Sequence, residues 1–307
     1  MFKKILRKIR SNPLDLMLKK LMKQGKNNIL IEWNRGLGDI PLGLFAVVKR
    51  VKQFIPNANI TFVTREDLKD GFSMLENVNV SVCPFWKRNK EHNLLDSLQK
   101  IGLSPDKYDL IIEKPDPTYW VRWQLGKLTP LLNWNTKYDN LYQKFSIDES
   151  KKIIAIQPDI GSGYNLWRTL SAEKWQQLIA RIENQENTQV VLIGSKETKL
   201  ELKNGLDLRN KTTLFEVLSF LKNSCNTALL LDGGILSLIY YLNATFDLKI
   251  ISLWGDPRQG IIKQGVASPN TKLVHETIVG EFKNVDSISI EQIYREINDL
   301  SKRSNQI

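Results

Sequence analysis

Short apolar segments that alternate with longer helical patterns constrain the fold of this chain more than any other feature. The segments are continuously apolar, as parallel strands are when both of their faces are buried. They lie at 28–33, 60–64, 78–82, 108–113, 152–158, 188–194, 227–232 and 249–255, with helical patterns such as 41–55, 171–183 and 213–224 between them. Repetition of strand, helix and strand predicts an α/β protein with two doubly wound halves and parallel sheets.

The length and one polar segment suggest how the halves are divided. A chain of 307 residues suits two domains of about 150 residues each. The segment 144–152 is polar, and a new apolar run begins directly after it. We therefore predict a basic N-terminal segment at 1–26, a first domain at 27–147 and a second domain at 148–307.

The charge of the chain predicts anionic partners. The net charge is +11 and the isoelectric point is about 9.4, which suits phosphates, nucleic acid or an acidic membrane surface. Within 1–10, apolar residues fall on one helical face among several Lys and Arg residues. Such a helix can lie on an anionic membrane or dock on its own domain, and the sequence leaves both open. Much of the charge lies in this segment and no compact recognition motif occurs, so we expect no nucleic-acid partner.

Cysteine content and hydropathy indicate the compartment. Cys83 and Cys225 are the only cysteines, and they lie far apart in unlike contexts, which predicts neither a disulfide framework nor a metal site. The longest apolar run, 227–246, is interrupted by Asp232 and two glycines, so we do not expect it to span a membrane. The N-terminus lacks the apolar core of a signal peptide. We predict a cytoplasmic protein that can lie peripherally on the cytoplasmic face of the inner membrane.

A glycine-rich turn follows the first predicted strand. Gly36 and Gly38 match the start of a dinucleotide fingerprint, but Pro41 stands where the third glycine belongs. Pro41 suits the first turn of a helix. Asp39, inside the turn, is then either a favourable charge at a helix N-terminus or a general base held over a cleft between the domains.

A second loop of this kind opens the second half. Gly161 and Gly163 lie in the loop, Arg168 precedes the next helix, and Thr169 or Ser171 is a candidate N-cap. Exposed amides, a helix N-terminus and an arginine are typical of a phosphate site. The alternative is an ordinary strand–loop–helix connection with a solvent-facing arginine.

Two further loops follow predicted strands of the second half. Asp232 ends a buried strand, and Gly233 and Gly234 open a helix, where backbone amides can approach a pyrophosphate or where glycine is needed for steric reasons. Asp256 and Arg258 follow the last predicted strand, and the arginine can contact a ligand or cap a turn.

Together these segments resemble glycosyltransferase family 9, the bacterial heptosyltransferases that build the lipopolysaccharide inner core. The resemblance covers roughly residues 28–260. The Gly–Asp turn with its following helix is similar to the family's opening motif. "WRTLSAEKW" is similar to the family pattern W-P-x-E-x-W, and it aligns Arg168 with the phosphate-binding lysine and Leu170 with the tryptophan. The family pattern D-S/T-G-x-x-H appears as "DGGILS", in which Gly233 replaces the hydroxyl residue and Ser237 the histidine.

The resemblance implies the GT-B architecture, in which two Rossmann-like domains with parallel sheets face each other across a cleft. It implies an inverting transfer of a heptose-like sugar from a nucleotide-diphospho-sugar, ADP-linked, to a lipopolysaccharide-type or other anionic glycan acceptor, without metal or cofactor. Asp39 would deprotonate the acceptor, and Arg168 with helix N-terminal amides would neutralise the diphosphate. The implied donor residues are Arg168, Gly161, Gly163, Asp232, Gly233, Gly234 and Ser237. Because the histidine is replaced, an inactive GT-B protein that binds a nucleotide or glycan is the alternative.

Other residues are candidates for substrate contacts. Tyr119, Trp120 and Arg122 follow the fourth predicted strand and can stack on a sugar or bind an acidic saccharide, or form a packed aromatic loop. Arg35 lies near Asp39 in sequence and can hold it ionised. The remaining candidates are Lys87 and Arg88 for an anionic acceptor or a solvated loop, and Glu197 or Glu201 for the nucleotide ribose; the isolated His92 and His275 are predicted to be structural or exposed.

Overall fold

The computed structural model describes residues 12–88, 90–160, 166–195 and 198–299. The chain divides into two compact units between Pro130 and Leu131, N-terminal to the polar segment where the sequence placed the boundary. The residues in between belong to the second unit because they bond to it: Leu132–Asn133 (β5) pairs with Leu242–Asn243 (β10), and the Tyr142 N–H donates to Ser219 Oγ at 3.2 Å. The polar residues at 144–152 therefore mark an exposed segment of unit 2 and not the division between the two units.

Unit 1 is built on a four-stranded parallel sheet in the order β3-β2-β1-β4. Ile29, Leu30 and Ile31 of its central strand are fully buried, as the continuous apolar run predicts. The elements are α1 (Pro13–Lys23), β1 (Asn28–Trp33), a π-helical turn (Ile40–Leu44), α2 (Phe45–Phe54), β2 (Asn59–Thr64), α3 (Lys69–Ser73), β3 (Val78–Val82), α4 (Leu94–Lys100), β4 (Leu110–Ile112) and α5 (Pro117–Trp120).

Helix α1 lies within the predicted N-terminal segment 1–26 and packs on unit 1. Leu14 and Leu18 are fully buried, and Asp15 binds Arg50 of α2 with a 2.6 Å ion pair, so α1 packs on unit 1. The basic amphipathic stretch at 1–10 lies outside the described residues. Among the described residues, no helix is both long enough and apolar enough to cross a membrane.

Unit 2 is built on a six-stranded parallel sheet in the order β12-β11-β9-β6-β7-β8. Renumbered from β6, this is the order 3-2-1-4-5-6 of a Rossmann fold, read from the β8 edge. The remaining elements are β6 (Lys152–Ile156), α6 (Ala172–Glu183), β7 (Thr188–Leu192), β8 (Leu206–Asp207), α7 (Leu214–Asn223), β9 (Thr227–Leu231), α8 (Gly234–Tyr240), β11 (Leu248–Trp254), α9 (Gly260–Gln264), β12 (Leu273–Val279) and α10 (Ile290–Asn298).

The core of unit 2 lies between the sheet and the helices α6 and α10. Trp175 and Leu178 of α6 are fully buried against Ile154 and Leu229 of the central strands, and Ile293 of α10 joins them. Each such side chain contributes roughly 1.5–3 kcal/mol through removal of apolar surface from water. Strand β12 was not predicted, because its residues are mostly half-buried or exposed and it lies at the edge of the sheet.

Candidate active site

Each sheet has a place where the strand order reverses, and the predicted site residues follow the strands at these places. In unit 1 the reversal lies between β1 and β4, and in unit 2 between β6 and β9. Open parallel sheets bind ligands beyond the carboxyl ends of their strands at such points, because the loops there diverge.

The turn after β1 is held by buried hydrogen bonds. Arg65 is only 4% exposed, and its Nη1 donates to Asn34 Oδ1 at 2.8 Å and to the Arg35 carbonyl at 3.3 Å. Trp33 Nε1 donates to the Gly36 carbonyl at 3.2 Å. The backbone that carries Asp39 is therefore anchored from two sides.

Asp39 precedes the π-helical turn but does not cap it with its side chain. Its Oδ2 instead lies over the glycine turn, where a Cβ at Gly36 would come within 3.0 Å of it. The side chain is half-buried. The π-helical turn, where the sequence predicted an ordinary helix from 41, is a feature often found at functional sites. Arg35 is exposed, with its guanidinium 5.5 Å from the Trp33 ring centroid, and its role toward Asp39 stays a prediction.

The aromatic loop after β4 lies at the same edge of unit 1. Asp116 Oδ1 accepts from the Tyr119 N–H at 2.9 Å and so starts α5. Pro117 packs on the π-helical turn so closely that a Cβ at Gly43 would be 2.6 Å from it. Tyr119 and Trp120 are half-buried, and Arg122 lies 5.3 Å from the Tyr119 ring centroid. Packed and ligand-facing roles therefore both remain open for these aromatic side chains.

In unit 2, Arg168 forms a partly buried pair with Asp232, which the sequence did not predict. Arg168 Nη2 lies 2.6 Å from Asp232 Oδ2, and it also donates to the Asp232 carbonyl. Burial raises the pKa of the Asp232 carboxyl, an effect that Arg168 offsets only in part and that nearby Asp256 strengthens. The arginine is thus not a solvent-facing side chain.

Buried polar atoms without hydrogen-bond partners occur in Arg168 itself and in two segments that follow strands of the same sheet. Among the described residues, Arg168 Nε, Gln157 Oε1 and Ser195 Oγ are buried and unpaired. Gln157 follows β6 and is 4% exposed, and Ser195 follows β7. Leaving such an atom unpaired costs about 1–3 kcal/mol, so a polar ligand at this edge would recover part of that cost.

A fully buried arginine supports the loops of this edge. Arg209 Nε lies 2.9 Å from Asp207 Oδ1, its Nη1 donates to the Thr198 carbonyl at 2.7 Å, and Asp159 lies 3.5 Å away. It therefore joins the segments that follow β6 and β7 to β8. The sequence reasoning missed it, although a charged residue among the leucines of "LDLRN" is a usable signal.

The loop before α6 differs from the predicted capping. Ser171 occupies the N-cap position, but its side chain makes no capping bond, and its N–H donates to Asp286 Oδ1 at 2.7 Å. Thr169 Oγ1 donates to the Pro158 carbonyl at 2.7 Å. Gly161, Gly163 and Glu197 lie outside the described residues. Glu201, the alternative for the ribose, is exposed and its backbone bonds to Gln176 of α6.

Two glycines, Gly233 and Gly234, lie at the start of α8, and Gly233 has room for a side chain. A Cβ at Gly233 would meet Ile160 at 3.5 Å, an ordinary contact, so steric need does not explain this glycine. Gly234 begins the helix. Ser237 is 2% exposed and its Oγ donates to the Gly233 carbonyl at 3.1 Å, so its hydroxyl is used within the helix.

The loop after β11 closes on Asp232. Gly260 has φ +51°, and a Cβ there would be 2.6 Å from Asp232 Oδ1, so both conformation and space require glycine. The sequence allowed Arg258 either to contact a ligand or to cap a turn. It caps the turn, with its Nη2 2.8 Å from Asp256 Oδ2. Hydrogen bonds from Arg258 hold the pKa of Asp256 far below its ordinary value.

Within the described ranges, no cluster of three or more His, Cys, Asp or Glu side chains could hold a metal ion.

Two Rossmann-like units with parallel sheets define the fold class that the resemblance implied. The chain is similar in structure to E. coli ADP-heptose lipopolysaccharide heptosyltransferase II, with a TM-score of 0.61, 14% identity and coverage of 88% of this chain and 97% of that one. It is also similar to a family 9 glycosyltransferase from Veillonella parvula DSM 2008 (TM-score 0.55, 14% identity, 88% and 95% covered). E. coli heptosyltransferase WaaC with ADP-2-deoxy-2-fluoro heptose is a third such structure (TM-score 0.52, 12% identity, 88% and 98% covered).

No protein-family model matches the sequence, and no curated protein sequence matches it significantly. The similarity to the heptosyltransferases is therefore one of fold, and it confirms the predicted fold class and the structural resemblance to family 9. At such low identity the chemistry depends on this chain's own residues.

Proposed function

We propose that the protein is an inverting, metal-independent glycosyltransferase. It transfers a heptose-like sugar from an ADP-linked nucleotide sugar to a lipopolysaccharide-type or other anionic glycan acceptor. The observation that carries the proposal is the Arg168–Asp232 pair with unpaired polar atoms around it, at the strand reversal of unit 2. The likeness to a heptosyltransferase solved with an ADP-heptose analogue supports this choice of donor.

The donor diphosphate is proposed to bind Arg168 and the amides that open α8. Asp232 occupies Nη2 of Arg168, but the guanidinium has further donors, and its Nε is unpaired. Gly233 leaves the backbone approachable. A cation and oriented N–H groups stabilise the charge that develops on a departing diphosphate, which is the task a metal performs in other transferases.

The acceptor is proposed to bind unit 1, with Asp39 as the general base. The Asp39 carboxylate takes the proton of the acceptor hydroxyl, and the oxygen attacks the anomeric carbon from the face opposite the diphosphate. The bond from that carbon to the diphosphate oxygen breaks, and its electron pair leaves with the diphosphate. A single general base is sufficient for this transfer, which inverts the configuration at the anomeric carbon. Arg35, Tyr119, Trp120 and Arg122 are proposed to contact the acceptor.

Nucleotide binding tests the donor site. Binding of ADP, UDP, GDP and CMP is measured by calorimetry without added metal, for the wild type, Arg168→Ala and the control Arg181→Ala. Arg181 is an exposed arginine of the same unit that pairs with Glu291. We expect selective ADP binding that Arg168→Ala abolishes and Arg181→Ala leaves intact. Selectivity for another nucleotide would change the sugar, and binding unaffected by Arg168→Ala would refute the site.

The alternative is a GT-B protein that binds a nucleotide or glycan without catalysis. Ser237 favours it, because this residue replaces the family's histidine and its buried hydroxyl bonds within its own helix. Binding of a nucleotide or a glycan without sugar transfer would support this alternative, and sugar transfer from any donor would eliminate it.

We also propose a cytoplasmic location with peripheral binding to anionic membranes. The five Lys and Arg residues among 1–10 support this. Because α1 packs on unit 1, the informative deletion is 1–11 rather than 1–26. Sedimentation with anionic vesicles should fall on this deletion, and equal sedimentation would refute the proposal.

A further inference from the structure

An ionisable cluster lies beside the turn after β1 and has no part in the mechanism above. Glu32 of β1 and His92 form an ion-pair contact, with 3.0 Å between His92 Nε2 and Glu32 Oε1. Their side chains are only 12% and 16% exposed. The His92 ring also stacks on Trp86, with 3.9 Å between centroids. Trp86 is anchored independently, because its Nε1 donates to Ser97 Oγ at 2.9 Å.

Both ring nitrogens of His92 face oxygen atoms. Nε2 faces the Glu32 carboxylate, and Nδ1 lies 3.2 Å from the Lys90 carbonyl. Asn34 Nδ2 is farther from Nδ1, at 3.5 Å, and it donates to the Lys87 and Lys90 carbonyls at 3.2 and 3.4 Å. His92 therefore contacts β1 on one side of its ring and its own loop on the other.

The other charged groups around the pair act on Glu32. Burial raises the pKa of Glu32, His92 counteracts this, and Glu113 and Lys114 after β4 act in opposite directions. Burial and Glu32 raise the pKa of the Cys83 thiol to about 11, so Cys83 stays neutral near pH 7. His92 is thus the ionisable residue in direct contact with this buried carboxylate.

The pair closes a loop that carries exposed cations. Residues 84–88 and 90–92 form this basic loop, in which Lys87, Arg88 and Lys90 are exposed. His92 and Asn34 hold its carbonyls at the end of β1, and Asn34 is in turn bonded to Arg65, which anchors the turn of Asp39. The position of the cations relative to that turn therefore depends on His92.

We propose that His92 is a positioning residue, whose side chain ties the basic loop to the carboxyl end of β1 through its 3.0 Å contact with Glu32 and so presents Lys87 and Arg88 to an anionic acceptor. Its substrate role rests on the proposed function, whereas the closure of the loop does not. Loss of the His92 contacts loosens the loop and lowers the affinity for the acceptor, while the chemical step at Asp39 is unaffected.

Hydrogen exchange of the full-length protein tests the closure directly. Exchange of the basic loop, corrected for intrinsic rates, is compared between the wild type and the variants at neutral pH. In His92→Gln, the loop amides should exchange about tenfold faster than in the wild type, as expected for one lost hydrogen-bonded contact. His92→Lys, whose ammonium group can donate to Glu32, should remain protected.

Lys107→Gln, which removes an exposed charge elsewhere in unit 1, is the matched control and should behave as the wild type. Equal protection in the wild type and His92→Gln would overturn the proposal. So would a His92→Lys variant that exchanges as fast as His92→Gln, because contact with Glu32 would then not hold the loop. Thermal unfolding of each variant separates loop opening from loss of the fold.

Kinetics separate this proposal from the proposed function. If sugar transfer is observed, His92→Gln should raise KM for the acceptor about tenfold at constant kcat, the pattern of lost uniform binding. A loss of kcat at unchanged KM would contradict the positioning role. If no transfer occurs, the proposed function fails while the exchange experiment still decides the loop closure.

Discussion

The strand reversals of the two units place one aspartate each beyond a central strand, but in opposite surroundings. Asp39 of unit 1 is half-buried over a glycine turn, and its side chain does not cap the following helix. Asp232 of unit 2 is 9% exposed and binds Arg168 at 2.6 Å. The same topology thus provides two carboxylates, of which one is paired with an arginine and the other lies over a glycine turn.

The largest expected effect separates these two carboxylates by function. Asp39→Asn should lower the transfer rate by about 10²–10⁴-fold, the usual contribution of a general base, and leave nucleotide affinity unchanged. Initial rates and calorimetry measure the two quantities. Asp106→Asn, at an exposed position of unit 1, is the control. A substantial rate in Asp39→Asn would mean that Asp39 is only a charge at the helix end.

The next largest effect is on the free energy of unfolding. It compares the buried arginine of each unit, Arg209 in unit 2 and Arg65 in unit 1. Arg209→Met should lower the free energy of unfolding by about 3–5 kcal/mol, because Asp207 and Asp159 lose a buried partner. Arg65→Met should cost less, about 1–3 kcal/mol, because its partner Asp67 is 66% exposed and can be solvated. Urea unfolding followed separately for each unit measures both. Equal costs would show that burial of the partner does not decide the difference.

A smaller effect compares the glycines that touch the two carboxylates. Gly260→Ala should lower the free energy of unfolding by roughly 1–3 kcal/mol, through a strained positive φ and contact with Trp254 and Asp232. Gly36→Ala should cost under about 1 kcal/mol, because only the flexible end of Asp39, at 3.0 Å, must move. Thermal unfolding measures both variants, and a larger loss for Gly36→Ala would contradict the local geometry.

The smallest expected effect concerns the free energy of unfolding. Its pH dependence should have opposite signs for Asp232 and Asp256, two carboxylates at the same edge of unit 2. The pKa of Asp232 is raised by folding, so its ionisation disfavours the folded state: stability relative to Asp232→Asn should fall as the pH rises above about 3.8. The pKa of Asp256 is lowered by folding, so its contribution relative to Asp256→Asn is present above that pH and is lost below it. Denaturant unfolding from pH 3 to 7 measures both differences, and equal signs would refute this pair of environments.

Local patterns predicted several strands with their bounds. The run 28–33 became the mostly buried strand β1, and the run 78–82 became β3, which is half-buried at the edge of its sheet. The run 152–158 ended at Ile156, and Gln157 and Pro158 already belong to the loop. Strand β12 was not predicted, because an edge strand needs no continuous apolar run. The helical pattern at 171–183 became α6, which begins at Ala172 and ends at Glu183.

Sequence alone determined that this chain forms two parallel-sheet units, and it identified the loops after their central strands as the places to search, because the apolar period of each segment is a local property. Tertiary structure decided which side chains meet there. Arg168 and Asp232 are 64 residues apart, and Glu32 and His92 lie on different elements, so neither pair has a signature in local spacing. Only the tertiary fold brings these side chains together, because residues distant in sequence meet where the strands of a sheet end side by side.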